Sequence, residues 1–208
     1  SSYSYLELCR FSLSGTQEHI PLLRDVLALV QGQVPLIIEF KTSKRNRELC
    51  EKAWELLKGY PGSFVVESFD PRIVRWFREH QPQVVRGQLM CRKPQQDMSA
   101  LADFVGRNLL TNFYTRPHFE AYDFRTRSNG SLKAARRVFG MQEVSWTLRS
   151  LEDYRVAKGE GCLCIFEKFL PLETSNQKKV TFADLLAEAK TAAVCLRSQE
   201  TQSKESHS

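Results

Sequence analysis

Glu39 and Lys41 close the otherwise apolar stretch PLIIEF at 35–40 and are separated by one Phe. In an extended chain alternate side chains share a face, so this carboxylate and this ammonium point the same way. A carboxylate is a hard oxygen donor suited to Mg2+ or Ca2+. A lysine beside it is placed to meet a phosphate oxygen. A metal and a lysine together stabilise the charge that builds on a phosphorus centre under attack. Polar residues close other apolar runs in the same manner: Glu67 in SFVVESF, Gln88 in QVVRGQL, Asp123 in EAYDFR, Trp146 with Thr147 in QEVSWTL, and Glu167 in CLCIFE. Trp146 can wall the carbon part of a substrate, and ordinary packing accounts for it as well. Taken singly, each residue reads as a strand end facing solvent. Their recurrence on strand after strand argues for a shared rim.

Hydrolysis of a phosphodiester also needs a proton donor for the leaving alkoxide and a base for the nucleophile, and histidine is the usual choice. The four histidines do not fit that role. His19 precedes Ile-Pro in the lead-in, His80 ends a helix, His118 sits in a loop before a strand, and His207 is in the tail. None closes a predicted strand, so each reads as a structural histidine.

The six cysteines, at 9, 50, 91, 162, 164 and 195, contain no C-x-x-C pair, which argues against zinc. Cys162 and Cys164 share a face and read as small apolar packers. The pattern suits a reducing compartment, and a cytoplasmic location is expected. The net charge of +6 favours anionic partners. No interleaved aromatic and basic motif calls for nucleic acid, and no apolar run reaches membrane-spanning length or forms a signal peptide. The first residue is Ser, as expected of a segment from a longer chain.

These residues are positioned by a regular alternation. A lead-in at 1–20, expected to be irregular, precedes a helix over 20–33 with Pro21 in its first turn and Gly32 at its end. Strands are predicted at 35–40, 63–69, 83–89, 120–125, 142–148 and 162–167. Helices are predicted at 44–60, 71–80 with Asp70 as cap, 97–110, 130–139, 150–158 with Ser150 as cap, and 181–196. The barrel portion thus runs over 21–196, and the polar stretch 197–208 is expected to be a disordered tail. Repeated β–α units dictate parallel strands with right-handed crossovers. An open doubly wound sheet and a (β/α) barrel both fit. The first needs a glycine-rich turn after the first strand, where this chain has KTSKRNR. A barrel places functional groups at the carboxyl ends of strands, where the polar residues lie.

From about Leu6 to Pro171 the chain resembles the glycerophosphodiester phosphodiesterases, most nearly bacterial members of the Clostridium-like type. IPLLRDVLALV is similar to the helix before the family's third strand, and PLIIEFK to the strand carrying a metal-ligand Glu and a substrate-side Lys. VVESFDPRIVRWFRE, VVRGQL, AYDFR, VSWTLRSLEDY and CIFEKFLP resemble the strands and helices that follow. The resemblance implies a (β/α)8 TIM-barrel fold, of which strands three to eight are evident. It implies metal-dependent hydrolysis of glycerophosphodiesters, such as glycerophosphocholine or glycerophosphoethanolamine, to glycerol 3-phosphate and an alcohol. It further implies that Glu39 is a metal ligand, that Lys41 contacts phosphate, and that Glu67 and Trp146 line the substrate pocket, with Mg2+ or Ca2+ as the metal.

The chain departs from the family in one respect. The H-R-G, E-x-D and H-D segments that carry the family's catalytic histidines and first two metal carboxylates do not occur in it. A six-strand open barrel leaves two edges and an apolar interior uncovered, to be completed by a further segment or a second chain. The chain alone is therefore expected to be inactive. The alternative is a degenerate, non-catalytic barrel serving as a binding or structural module.

Overall fold

The computed structural model describes residues 3–90, 111–126 and 141–171. The helices predicted at 97–110, 130–139 and 181–196, the tail 197–208, His207, Cys91 and Cys195 lie outside the described residues. The chain divides into two compact units. One comprises the residues up to Leu36 together with Ser43–Ser63; the other comprises Ile37–Thr42 and the chain from Phe64 onward.

In the first unit, Tyr5–Leu8 (α1) make one helical turn closed by a reciprocal cap. The Ser4 hydroxyl accepts from the Glu7 N–H at 3.4 Å, and the Glu7 carboxylate accepts from the Ser4 N–H at 2.7 Å. An antiparallel bridge joins Ser12 and His19, so the lead-in carries more local order than its composition suggests. Leu23–Val30 (α2) is shorter than the predicted 20–33. Leu22 is its N-cap, which leaves Pro21 outside the helix rather than in its first turn. Gln31 and Gly32, at φ 45° and 78°, take left-handed conformations and end it. Asn46–Leu57 (α3) buries Cys50, Ala53 and Leu57 at helical spacing and carries the Arg47–Glu51 and Lys52–Glu48 ion pairs. The end of α2 meets the turn after α3 at Gly32 and Gly62. A Cβ on Gly62 would lie 2.6 Å from the Gly32 Cα, so the backbones approach this closely only without side chains.

The second unit contains the sheet. Its strands are Leu36–Glu39 (β1, which begins at the junction of the units), Phe64–Ser68 (β2), Arg86–Met90 (β3), Phe119–Asp123 (β4), Gln142–Leu148 (β5) and Leu163–Phe166 (β6). They lie side by side in chain order. The pairs from β2 to β6 are parallel. For β1 and β2, the Leu36 N–H donates to the Ser63 carbonyl at 3.0 Å and the Phe40 N–H to the Glu67 carbonyl at 2.8 Å. The same four-residue step along both chains makes this pair parallel too. A doubly wound sheet reverses strand order part-way across, whereas this order runs on without reversal. The sheet is curled, half of a (β/α) barrel.

One face of the sheet packs against helices, and the other carries an apolar cluster. Pro71–His80 (α4) starts at Asp70, whose carboxylate accepts from the Arg72 N–H at 3.0 Å, with Pro71 in the first turn. The helix buries Ile73, Val74 and Phe77, and the Phe77 ring meets Phe40 edge-on at 5.1 Å. Leu151–Gly159 (α6) is capped by Ser150, as predicted, and its Ala157 packs with Leu148 and Cys162. The short helix Asn112–Thr115 (α5) precedes β4. The other face gathers Val65, Val85, Leu89, Phe119, Ala121 and Val144 into one apolar cluster, with Phe69, Trp146, Leu163 and Ile165 at its margin. Each Val, Leu or Phe side chain of the cluster contributes about 1.5–3 kcal/mol when fully buried. This cluster lines the concave side of the sheet, away from the helices.

Candidate active site

Alternation along the strands decides which residues face the concave side. Phe40 packs on α4, so its neighbours Glu39 and Lys41 turn the other way, to the concave face. Val65 belongs to the concave cluster, so Glu67 and Phe69 follow it there. Trp146 lies at the margin of the same cluster, and its ring meets Phe69 edge-on at 5.8 Å and 87°. All four residues singled out in the sequence therefore stand on one face of the sheet, and three of them close β1 and β2 at their carboxyl ends.

Lys41 Nζ donates to Glu39 Oε1 at 2.5 Å. The lysine side chain is 77% exposed, so this pair is held in water and is easily exchanged for another anion. Glu67 differs: the residue is 6% exposed, and its Oε2 is buried without a hydrogen-bond partner. Burial pushes its carboxyl up to about 7. The charge of Glu39 adds to the rise and that of Lys41 opposes it. The floor beside Glu67 is apolar for a definite reason. Gly87 is its register partner on β3, and a Cβ there would lie 2.1 Å from the Phe119 ring. The absent side chain lets that ring lie across the strand.

The other strand-end residues divide: Asp123 shares the concave face, while Gln88 does not. Gln88 faces the helix side, opposite to Glu67, and its amide donates to the Ser68 and Phe69 carbonyls at 2.9 and 3.2 Å. It clamps β2 rather than lining the rim. Asp123 shares a register position with Trp146 and accepts from the Arg125 N–H at 3.1 Å. Glu167 pairs with Arg149 at 2.6 Å. The described histidines have structural settings. His19 Nδ1 lies 3.1 Å from the Phe11 carbonyl. His80 stacks on Trp76 at 4.8 Å. His118 Nδ1 accepts from the Arg86 N–H at 3.2 Å, just before β4 and so at the amino end of the strands.

Two buried acidic residues, Glu120 and Glu143, escaped the sequence reading. Glu120 on β4 is fully buried on the helix side, and burial pushes its carboxyl up to about 8. Asn112 beside it offsets a little of that rise, yet neither carboxyl oxygen attains hydrogen-bonding geometry. In register it continues the row Ser68, Gln88, Glu120, Glu143, a buried polar line across four strands. A carboxylate within an otherwise strand-like apolar run was the available signal.

Among the described residues, no three His, Cys, Asp or Glu side chains converge as a metal cluster. Glu39 and Glu67 nonetheless offer two carboxylates on one face, one of them with an orphaned oxygen. That donor set fits a hard cation that retains water, which is how Mg2+ is commonly held. With such a cation on Glu39, Lys41 would be released from its ion pair to meet a phosphate oxygen.

A glycerophosphodiester phosphodiesterase from Parabacteroides distasonis superposes with a TM-score of 0.61 at 18% identity, covering 94% of this chain and 73% of that one. The chain shares the fold of that enzyme. A phosphodiesterase from Oleispira antarctica, solved in complex with the product sn-glycerol-3-phosphate, gives a TM-score of 0.55 at 18% identity over 72% of this chain and 58% of that one. A candidate glycerophosphoryl diester phosphodiesterase from Silicibacter pomeroyi gives 0.56 at 19%, over 71% and 52%. The chain thus spans only about half the length of the Silicibacter protein. No family model and no curated protein matches the sequence. No described helix is long and apolar enough to cross a membrane.

Proposed function

We propose that this chain is a glycerophosphodiester phosphodiesterase-like protein carrying the metal-and-phosphate side of a hydrolytic site. The supporting observation is the convergence of Glu39, Lys41 and Glu67 on the concave rim of a sheet with this fold. In this reading Glu39 holds a divalent cation, Mg2+ or Ca2+, and Lys41 binds the phosphate of a glycerophosphodiester. Glu67 and Trp146 border the substrate, the indole and Phe69 offering an apolar wall. The cation, when bound, supplies electrophilic stabilisation of the phosphorus centre. The products are glycerol 3-phosphate and an alcohol. Cys9, Cys50, Cys162 and Cys164 carry thiols rather than disulfides, which supports a reducing, cytoplasmic setting.

A second reading, a non-catalytic barrel that binds but does not cleave, is favoured by the histidines. Hydrolysis needs a proton donor and a base, and no described histidine stands at the carboxyl end of a strand. The chain by itself is therefore proposed to bind rather than turn over, with a further segment or second chain completing the barrel. Incubation with glycerophosphocholine and with glycerophosphoethanolamine, in Mg2+ and in Ca2+, should release no glycerol 3-phosphate. Turnover that disappears in Glu39→Ala would overturn that expectation and establish the chain as a complete enzyme.

A further inference from the structure

We propose that Glu67 is a second carboxylate ligand of the divalent cation, beside Glu39, rather than only a wall of the substrate pocket. The first support is its unpartnered oxygen. Glu67 is 6% exposed and its Oε2 has no hydrogen-bond partner. A buried carboxylate left in this state is costly, and it persists where a cation or a proton completes it. The second support is placement. Alternation from Val65 turns Glu67 to the concave face, and alternation from Phe40 turns Glu39 to the same face. β1 and β2 are neighbours, and the Phe40 N–H donates to the carbonyl of Glu67 itself, so the two carboxyl-bearing residues lie alongside.

Among the described residues, none is hydrogen-bonded to the Glu67 Oε2. Gly87 and the Phe119 ring lie next to Glu67 in register, Val65 and Phe69 flank it along the strand, and the nearby cation Lys41 is bonded to Glu39. Two carboxylates brought together repel, and a divalent cation between them converts that repulsion into attraction. With two protein carboxylates and the remaining positions left to water and a phosphate oxygen, the set matches Mg2+ better than Ca2+, which takes six to eight oxygens.

The choice of a divalent cation rests on the phosphodiesterase reading, but the test uses no substrate, so the two fail separately. The full chain is titrated with MgCl2 and with CaCl2 by calorimetry, alongside Glu39→Gln and Glu67→Gln, and melting curves are recorded with and without cation. Wild type should bind Mg2+ and melt higher in its presence. Each substitution should weaken binding by about tenfold or more and erase the cation-dependent rise, because one of two charged ligands is lost. Glu67→Gln is isosteric, and the cation-free variant should melt at or above the wild-type temperature, which shows that its fold is intact. Glu67→Asp, which restores the charge, should recover part of the affinity. Wild-type affinity in Glu67→Gln would show that a proton alone completes Glu67 and would overturn the proposal. Absence of cation binding to wild type would overturn it equally.

Discussion

Glu67 and Glu120 are both buried glutamates on the same parallel sheet, yet they sit on opposite faces and in different company. Glu67 looks onto the concave rim, where Glu39 adds to the rise of its carboxyl to about 7 and Lys41 opposes it. Glu120 is sealed on the helix side, where burial alone drives the rise to about 8 and no charged group contributes. Desolvation is the leading cause at both, so burial by itself does not mark a functional carboxylate. What separates them is the charged neighbourhood: a second carboxylate and a lysine for one, the Asn112 carboxamide for the other.

The two carboxyls predict two windows of pH-dependent stability, and the helix-side one is the larger. A folded-state pKa raised above the unfolded value means that the native chain holds a proton that the unfolded chain releases. Glu120 therefore contributes fully below pH 4.5, its ordinary value, and that contribution is lost as pH rises through about 8. Within this window stability falls by up to about 1.4 kcal/mol per pH unit. Glu67 acts in the same direction over a narrower window that closes near pH 7. Chemical denaturation from pH 5 to pH 9 should show Glu67→Gln losing its share of the slope only below about pH 7, and Glu120→Gln losing its share all the way to about pH 8, so that above pH 7 only Glu120→Gln differs in slope from wild type. A single shared window would break the distinction between the faces.

A smaller effect is expected where the concave floor is altered without touching a charge. Gly87→Ala would place a Cβ 2.1 Å from the Phe119 ring and must displace it. Overpacking of this kind costs about 1–3 kcal/mol, read as a lower denaturation midpoint. A ring moved away from Gly87 should let water nearer Glu67, so the Glu67 window should close at a lower pH while that of Glu120 stays. The smallest stability change belongs to Lys41→Ala. That side chain is 77% exposed, and an ion pair in water contributes little, so the midpoint should move by no more than experimental error. Its loss should instead be felt in phosphate binding.

The sequence made the concave rim legible because its strands follow simple rules. Glu39 and Lys41 stand two apart around a phenylalanine that packs on a helix, so their shared direction followed from spacing alone. Asp70-Pro71 and Ser150 announced their helices through capping chemistry, and the structure places helices at Pro71–His80 and Leu151–Gly159. The helix side was harder to read. Where residues on both faces of a sheet are buried, alternation does not separate buried from exposed positions, so Gln88 looked like a rim residue while Glu120 passed unnoticed. Pro21 was misplaced because Leu22 is the N-cap, without a side-chain cap bond, and the helix begins at Leu23, two residues later than proline preference suggests. The four residues of α5 are too few for periodicity to register.

The central claim is that Glu39 and Lys41 together present a cation and an ammonium to a phosphate at the concave rim. Titration of the full chain with sn-glycerol 3-phosphate, with and without Mg2+, tests it most directly. Binding should require Mg2+ and should be lost in both Glu39→Gln and Lys41→Ala while their melting temperatures stay near wild type. Binding that ignores Mg2+ and survives both substitutions, or no binding at all to the folded wild-type chain, would contradict it.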